Sequence, residues 1–389
     1  MKHRSTPLDE FSLAPLVELR ERELARDPDL IDLSGGLSGF PPQDCRRNGH
    51  KPIESDVTLS PYSPAEEELR RAIASWISRR FAVDVDVESE LLPTLGAKAP
   101  MSQLPQIIGA PGDVAATYAP SYPIGIRSAL LAGWDTKILP LSPDASWLPD
   151  PDLIDWNRVG LVWLISPHNP TGTIIPLELL AAFAERCRKY GAILAVDEVL
   201  SEYWTGDEPP PSALQLESRE NIVVFNSLSK RSNAPGLRSG FAAGDKRVIA
   251  QLERFQLHFG TSLPAVAQRP SAAAWEDEMH VTLARAESVK ARQALTKLVR
   301  EAALDVVGGS GGIFLWLRTS TNADELVVEK LARRSLLMAP GSLFGPGGAG
   351  HLRATVVPLS PPAARRAGDA LRCIRGACPS DLLQSSGAD

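Results

Sequence analysis

Residues 221–244 read NIVVFNSLSKRSNAPGLRSGFAAG. The run NIVVFN (221–226) is apolar and rich in β-branched residues, and it ends in hydroxyls and a lysine, Lys230. An apolar run without alternation fits a parallel strand buried on both faces. The strand delivers Lys230 into a segment rich in Ser, Asn and Gly, where Gly236 and Gly240 flank Arg238. Two readings stand: a solvated surface loop, or a Schiff-base nucleophile beside an anion site. Partial burial and nearby positive charge lower an amine pKa and make it nucleophilic near neutrality. The hydroxyls and Arg238 suit a phosphate.

Working outward, VAATYA (114–119), GLVWLIS (160–166) and AILAVD (192–197) are runs of the same kind. Helical stretches separate them, notably 176–190 with Gly191 as the stop. This alternation predicts an α/β layer with a mostly parallel sheet. Upstream, 66–81 reads as an amphipathic helix with Leu69, Ile73, Trp76 and Ile77 on one face. Downstream, a charged helix spans about 277–304, followed by strands at 311–319 and 351–357 and helices near 323–334 and 361–375. The expected organisation is an N-terminal segment (1–50), a large α/β domain (51–275) and a small α+β domain (276–389).

Two further motifs follow strands. Ser166-Pro-His-Asn-Pro-Thr-Gly172 places Asn169 at the carboxyl edge of the sheet, where open α/β sheets bind ligands. It is otherwise an ordinary turn, and His168 reads as a turn residue. Asp197-Glu198 closes AILAV. An acid there is a helix cap or a ligand contact, and it can keep a pyridine nitrogen protonated.

Composition narrows the class. The chain has 389 residues, 43% of them hydrophobic, with 41 Lys and Arg against 47 Asp and Glu for a net charge of −6. That balance argues against a nucleic-acid footprint. No apolar run approaches the roughly 18 residues that span a bilayer. The start, MKHRSTPLDEF, has no apolar signal core. The four cysteines show no CxxC spacing, which speaks against a disulfide scaffold or a zinc cage, so no metal is expected. A cytoplasmic enzyme without a nucleic-acid or membrane partner is the expectation.

NPTG, then DE after an apolar strand, then SLSK…GLRSG, in this order, resemble the aminotransferase class I/II family. Its members are fold-type I enzymes using pyridoxal 5'-phosphate. The resemblance runs from about residue 30 to 375. With AAWEDEMHV at 273–281, SLSKRSNAPGLRSGF looks most like the N-succinyldiaminopimelate aminotransferase branch. It implies a homodimer that acts on an α-amino acid, with a 2-oxo acid as co-substrate. Lys230 would form the internal aldimine and carry the proton, by way of a quinonoid, between Cα and C4′. Asp197 would pair with the pyridine nitrogen, and Asn169 would donate to the phenolic oxygen. Ser227, Ser229 and Arg238 would hold the phosphate, with the backbone of Gly96, Ala97 and Lys98 at a helix start. Tyr122 would stack on the cofactor, and Arg353 would fork onto the substrate carboxylate. Gly36 would close over the substrate, and Tyr62 would reach the partner subunit's phosphate. The plainer alternatives are core packing for Tyr122 and a surface arginine on an edge strand for Arg353.

The sequence also departs from the family pattern. Leu200 stands where the family has a tyrosine bonded to the phenolic oxygen, and Tyr203 lies one helical turn further on. Losing that donor should raise the pKa of the bound cofactor and weaken its electron withdrawal. The stretch after Tyr62 is about two residues short, and Pro100 falls in the phosphate-turn helix, where only the first turn tolerates it. These departures permit an alternative: β/γ-elimination, replacement or cyclisation on an activated amino acid. The PHNPTG wording (167–172) also occurs in carbon–sulfur β-lyases of the fold. A sensor domain of a transcription regulator would need an added helix-turn-helix, for which there is no room before residue 30.

Overall fold

The computed structural model describes residues 14–35, 67–319 and 324–373. The chain begins with α1 (Ala14–Arg26) and β1 (Ile31–Asp32), and resumes with α2 (Glu67–Phe81). Then come β2 (Leu91–Leu95), α3 (Lys98–Ile108), β3 (Val114–Ala119), α4 (Ile124–Leu131) and β4 (Asp135–Pro140). β5 (Val159–Ile165), α5 (Leu177–Tyr190), β6 (Ile193–Asp197), β7 (Ile222–Ser227), the four-residue α6 (Leu228–Arg231) and β8 (Ser239–Gly244) follow. Three helices come next: α7 (Lys246–Phe259), α8 (Ala265–Glu276) and α9 (Met279–Glu301). The last part holds β9 (Asp305–Val306), β10 (Phe314–Arg318), α10 (Asp324–Ala332), β11 (Leu336–Leu337), β12 (Ala339–Pro340), β13 (His351–Thr355) and α11 (Pro361–Arg372).

Seven strands form one sheet in the order β2-β8-β7-β6-β5-β3-β4. The pairs β7–β6, β6–β5, β5–β3 and β3–β4 are parallel, and β8 alone runs against its neighbours. Alternate residues feed two cores. Leu194 and Val196 of β6 face one side with Leu69, Ile73 and Trp76 of α2, while Ala195 faces the other with Met101, Leu104 and Leu252. Burial on both faces explains the continuous apolar runs. A second, antiparallel sheet, β12-β13-β10-β9, is built after α9, and β1 pairs in parallel with β11.

The expected elements are present with ends shifted by a few residues. One segment differs from the expectation. Lys230 lies in the helical turn α6, not in an open loop, and SGFAAG is a fully buried strand. Its composition is set by close approach. A Cβ on Gly240 would meet the Asn226 carbonyl oxygen at 2.6 Å, and one on Gly244 would meet that of Ile222 at 2.2 Å. Small residues are required there, so the strand carries no apolar signature.

Candidate active site

The carboxyl ends of β3, β5, β6 and β7 converge, as expected where ligands bind to α/β sheets. After β3 the chain reaches Tyr122, whose backbone N–H donates to the Asn169 carbonyl at 2.9 Å. Behind this contact lies buried His168. Its Nδ1 is 2.8 Å from Thr171 Oγ1 and its Nε2 is 3.2 Å from Ser121 Oγ. Burial pushes its pKa down to about 3, so the ring is neutral and holds two loops together. Tyr122 is only half-buried, and Lys98 Nζ lies 5.4 Å from its ring centroid.

Arg353 projects from β13, an interior strand, and is buried. The edge-strand surface reading is therefore excluded. Its Nη1 donates to Asn169 Oδ1 at 3.0 Å and its Nη2 to the Ser34 carbonyl at 2.7 Å. Its Cζ lies 4.2 Å from the Phe314 ring centroid and 4.8 Å from that of Phe344. Burial lowers its pKa to about 10, which leaves it charged at neutrality. Its Nε is buried with no hydrogen-bond partner among the described residues.

Asp197 ends β6, and its Oδ1 accepts from the Val199 N–H at 3.0 Å. Burial raises its pKa to about 6, against the opposing pull of Val199, Lys98 and Lys230. Lys230 is shifted the other way, down to about 8, first by burial and then by the charges of Arg353 and Lys98. Lys230 thus lies within the fields of Asp197, Lys98 and Arg353, and Asp197 within those of Lys98 and Lys230.

Beside them is an anion cradle. Ala97 precedes α3 without a side-chain cap, and the first turn of α3 holds no acid. Its N–H groups and the positive end of the helix dipole are left for a ligand. Pro100 sits in that first turn, as the sequence requires. Gly96 has φ +67°, and a Cβ there would come 2.8 Å from Arg238 Nη2. A Cβ on Gly240 would come 2.9 Å from the Ala97 nitrogen, so β8 packs directly on the turn. Ser227 caps α6, its Oγ accepting from the Ser229 N–H at 3.3 Å. Gly96, Ala97, Lys98, Ser227, Ser229 and Arg238 therefore sit around one corner. Gly36 and Tyr62 lie outside the described residues.

Three participants escaped the sequence reading, and a fourth, Tyr203, was noticed but not for the contact it makes. Ser34 supplies a carbonyl to Arg353, while Phe314 and Phe344 supply ring faces. Tyr203 directs its hydroxyl to the Lys230 carbonyl at 3.0 Å. Leu200 forms an apolar cluster with Tyr203, Ile313 and Phe314.

The family model "Aminotransferase class I and II" matches residues 28–371. The chain belongs to this family. Among its relatives, the LL-diaminopimelate aminotransferase of Aquifex aeolicus is 27% identical over 355 residues, covering 89% of this chain and 92% of that protein. The 4-dedimethylamino-4-oxo-anhydrotetracycline transaminase OxyQ of Streptomyces rimosus is 33% identical over 357 residues, covering 89% and 94%. A probable N-succinyldiaminopimelate aminotransferase from Thermus thermophilus shares the fold, with a TM-score of 0.82, 24% identity and coverage of 94% and 99%. The class I and II aminotransferase described here is thus an enzyme, a pyridoxal-phosphate-dependent aminotransferase. These relatives give no support to elimination, replacement or cyclisation.

The residues present fit that cofactor. An uncapped helix start beside Arg238 suits the phosphate. An amine with pKa about 8 suits the aldehyde, and a carboxylate at a strand end suits the ring nitrogen.

Proposed function

We propose that this aminotransferase takes an α-amino acid by its carboxylate on Arg353 and moves the Cα proton with Lys230. The observation that carries this is the buried Nε of Arg353, which has no hydrogen-bond partner among the described residues, while Nη1 is engaged on Asn169. Of the five guanidinium N–H donors, Nη1 and Nη2 each spend one, on Asn169 and Ser34, so Nε–H and one N–H on each Nη remain for a carboxylate in a dry site. Because Asn169 Oδ1 accepts from Arg353, its Nδ2 is left to donate, which suits the cofactor's phenolic oxygen. Gly96, Ala97, Lys98, Ser227, Ser229 and Arg238 would hold the phosphate. Asp197 would keep the ring nitrogen protonated, and Tyr122 would cover the ring. When bound, the cofactor supplies an electron sink that weakens the Cα–H bond. Lys230, neutral above about pH 8, is the base that takes this proton and returns it.

The substrate class that the relatives' names suggest is a diaminopimelate-type amino acid, with a 2-oxo acid as amino acceptor. A homodimer is supported by the exposed apolar side chains of Leu257, Phe259, Val266 and Met279, which are 54–68% exposed along α7, α8 and α9. Gly36 and Tyr62, outside the described residues, are proposed for the roles the family resemblance implies, over the substrate and at the partner subunit's phosphate. The division we propose is 1–50, 51–275 and 276–389; the seven-stranded sheet within the second part and the four-stranded sheet within the third support it. The expected location is the cytoplasm; no helix among the described residues is long and apolar enough to cross a membrane.

The test mixes the loaded enzyme with a panel of amino acids and no oxo-acid acceptor. One equivalent of oxo acid, with the cofactor left as its amine, supports transamination. Repeated turnover with release of a leaving group would overturn it.

A further inference from the structure

Arg231, the residue after Lys230, has a fully buried side chain. Its guanidinium lies beside a pair of touching indoles, Cζ being 5.6 Å from the Trp76 ring centroid and 5.2 Å from that of Trp275, with the two rings 4.9 Å apart. Its hydrogen bonds run to the joint between α8 and α9. Nη1 donates to the Ala274 carbonyl at 2.6 Å, and Nη2 to those of Trp275 and Asp277 at 3.3 Å each and to Glu278 Oε1 at 2.9 Å. A helix end leaves its last carbonyls unsatisfied and carries a partial negative charge, so a guanidinium is a fitting cap. The next residue repeats the tie: Ser232 Oγ lies 2.8 Å from His280 Nε2, and His280 Nδ1 lies 3.2 Å from Asp277 Oδ2. From the opposite side, the Tyr203 hydroxyl holds the Lys230 carbonyl.

Burying a charge is costly unless it is paired and bonded, and simple packing would be served as well by an apolar side chain. The placement gives the charge a purpose. α9 leads directly from this joint to the second sheet. We infer that Arg231 and Ser232 form a latch tying the Lys230 turn to the α8–α9 joint, so that Arg231 is a positioning residue for the Lys230 amine. The amine must serve both the cofactor and the substrate proton, and small displacements of a reacting group cost rate steeply. The joint that carries the second sheet, and Arg353 with it, thereby also sets the lysine. Lys230 being the cofactor lysine is the premise.

The experiment uses the full-length chain as Arg231→Met, Arg231→Lys, Ser232→Ala and Glu278→Gln. With cofactor bound, Arg231→Met should lower kcat on the order of tenfold or more with little change in KM. Arg231→Lys should restore it only in part, since an ammonium lacks the planar fork. Without cofactor, amide exchange should rise over 228–234 together with 274–282 in Ser232→Ala and Glu278→Gln. Trace acylation of Lys230, read against surface lysines, should change in the same variants. If Arg231→Met does not fold, these two milder variants carry the test. Exchange rising over 274–282 alone, with Lys230 acylated at the wild-type rate, would overturn the latch. Failure of borohydride to fix the cofactor on Lys230 in the wild type would sink the premise instead, and the two failures are read separately.

Discussion

Asn169 and Arg353 lie 184 residues apart and meet side chain to side chain, Nη1 donating to Oδ1 at 3.0 Å. One stands on a loop of the seven-stranded sheet and the other on the four-stranded sheet. The contact bridges the two sheets where substrate and cofactor would meet, so the two residues should act as a unit. Arg353→Gln should cost about 2–5 kcal/mol in kcat/KM, as expected when one partner of a buried, bonded charge pair is removed. Asn169→Ala should cost less, and the double variant should fall short of the sum by about 0.5–3 kcal/mol. Steady-state kinetics on all four proteins measure this, and additive losses would show that the contact carries no function.

Lys230 offers a second check. Its pKa falls from the ordinary 10.5 to about 8 because burial disfavours the ammonium and Arg353 and Lys98 repel it. The neutral, nucleophilic amine should therefore emerge as pH rises through about 8. Arg353→Gln and Lys98→Gln each remove a repelling charge, so each should move that midpoint upward. Trace acylation of the cofactor-free protein across pH reads the midpoint directly. A downward move in either variant would contradict the assignment.

For Asp197 the sign runs the other way. Its folded pKa, about 6, lies above the ordinary value of 3.8 because burial penalises the carboxylate. Its contribution to stability is full below about pH 3.8 and is lost as pH rises through about 6. Cofactor-free Asp197→Asn should therefore gain stability relative to wild type between about pH 5 and 8, by about 1–3 kcal/mol. The same variant should lose activity on the order of 10²–10³-fold, having lost the charge that keeps the ring nitrogen protonated. Urea denaturation at several pH values tests the first half. A variant less stable than wild type at pH 8 would refute it.

The glycines of the cradle differ in a way their spacing does not reveal. A Cβ at Gly240 would meet backbone on two sides, 2.6 Å from the Asn226 carbonyl oxygen and 2.8 and 2.9 Å from the carbon and nitrogen of the Gly96–Ala97 peptide. Gly240→Ala should cost about 1–3 kcal/mol and weaken cofactor binding, because the phosphate turn itself must move. At Gly236 a Cβ would meet nothing within 4 Å, and Gly236→Ala should stay within about 0.5 kcal/mol of wild type. Thermal melts and cofactor titration compare them; equal effects would mean that the turn is not held by β8.

Strands β3, β5, β6 and β7 were legible because burial on both faces writes a continuous apolar run. β8 was not, since the backbone contacts at Gly240 and Gly244 demand small residues, which read as a loop. Lys230, Asp197 and Asn169 stood out because each follows a readable strand. The setting of Arg353 did not, as its ring partner Phe314 and its carbonyl partner at Ser34 come from distant segments and Phe344 from the preceding turn. The partner of Tyr203 is a backbone carbonyl, which no residue type records.

That last bond separates two roles for a phenol. The Tyr203 hydroxyl is spent on the Lys230 carbonyl, which also accepts the Asn233 N–H at 3.3 Å. Leu200, at the position the family gives to tyrosine, packs with Ile313 and Phe314. Tyr203→Phe should therefore cost about 0.5–1.5 kcal/mol of stability, the usual net worth of one hydrogen bond. It should leave unchanged the pH midpoint of the visible absorbance of the cofactor on Lys230. Leu200→Tyr should lower that midpoint, because a donor beside the phenolic oxygen favours its ionised form. An absorbance titration of the three proteins decides between the roles. A Tyr203→Phe midpoint raised by as much as the Leu200→Tyr midpoint is lowered would identify Tyr203 as the donor, and Leu200 would then be no departure in the chemistry.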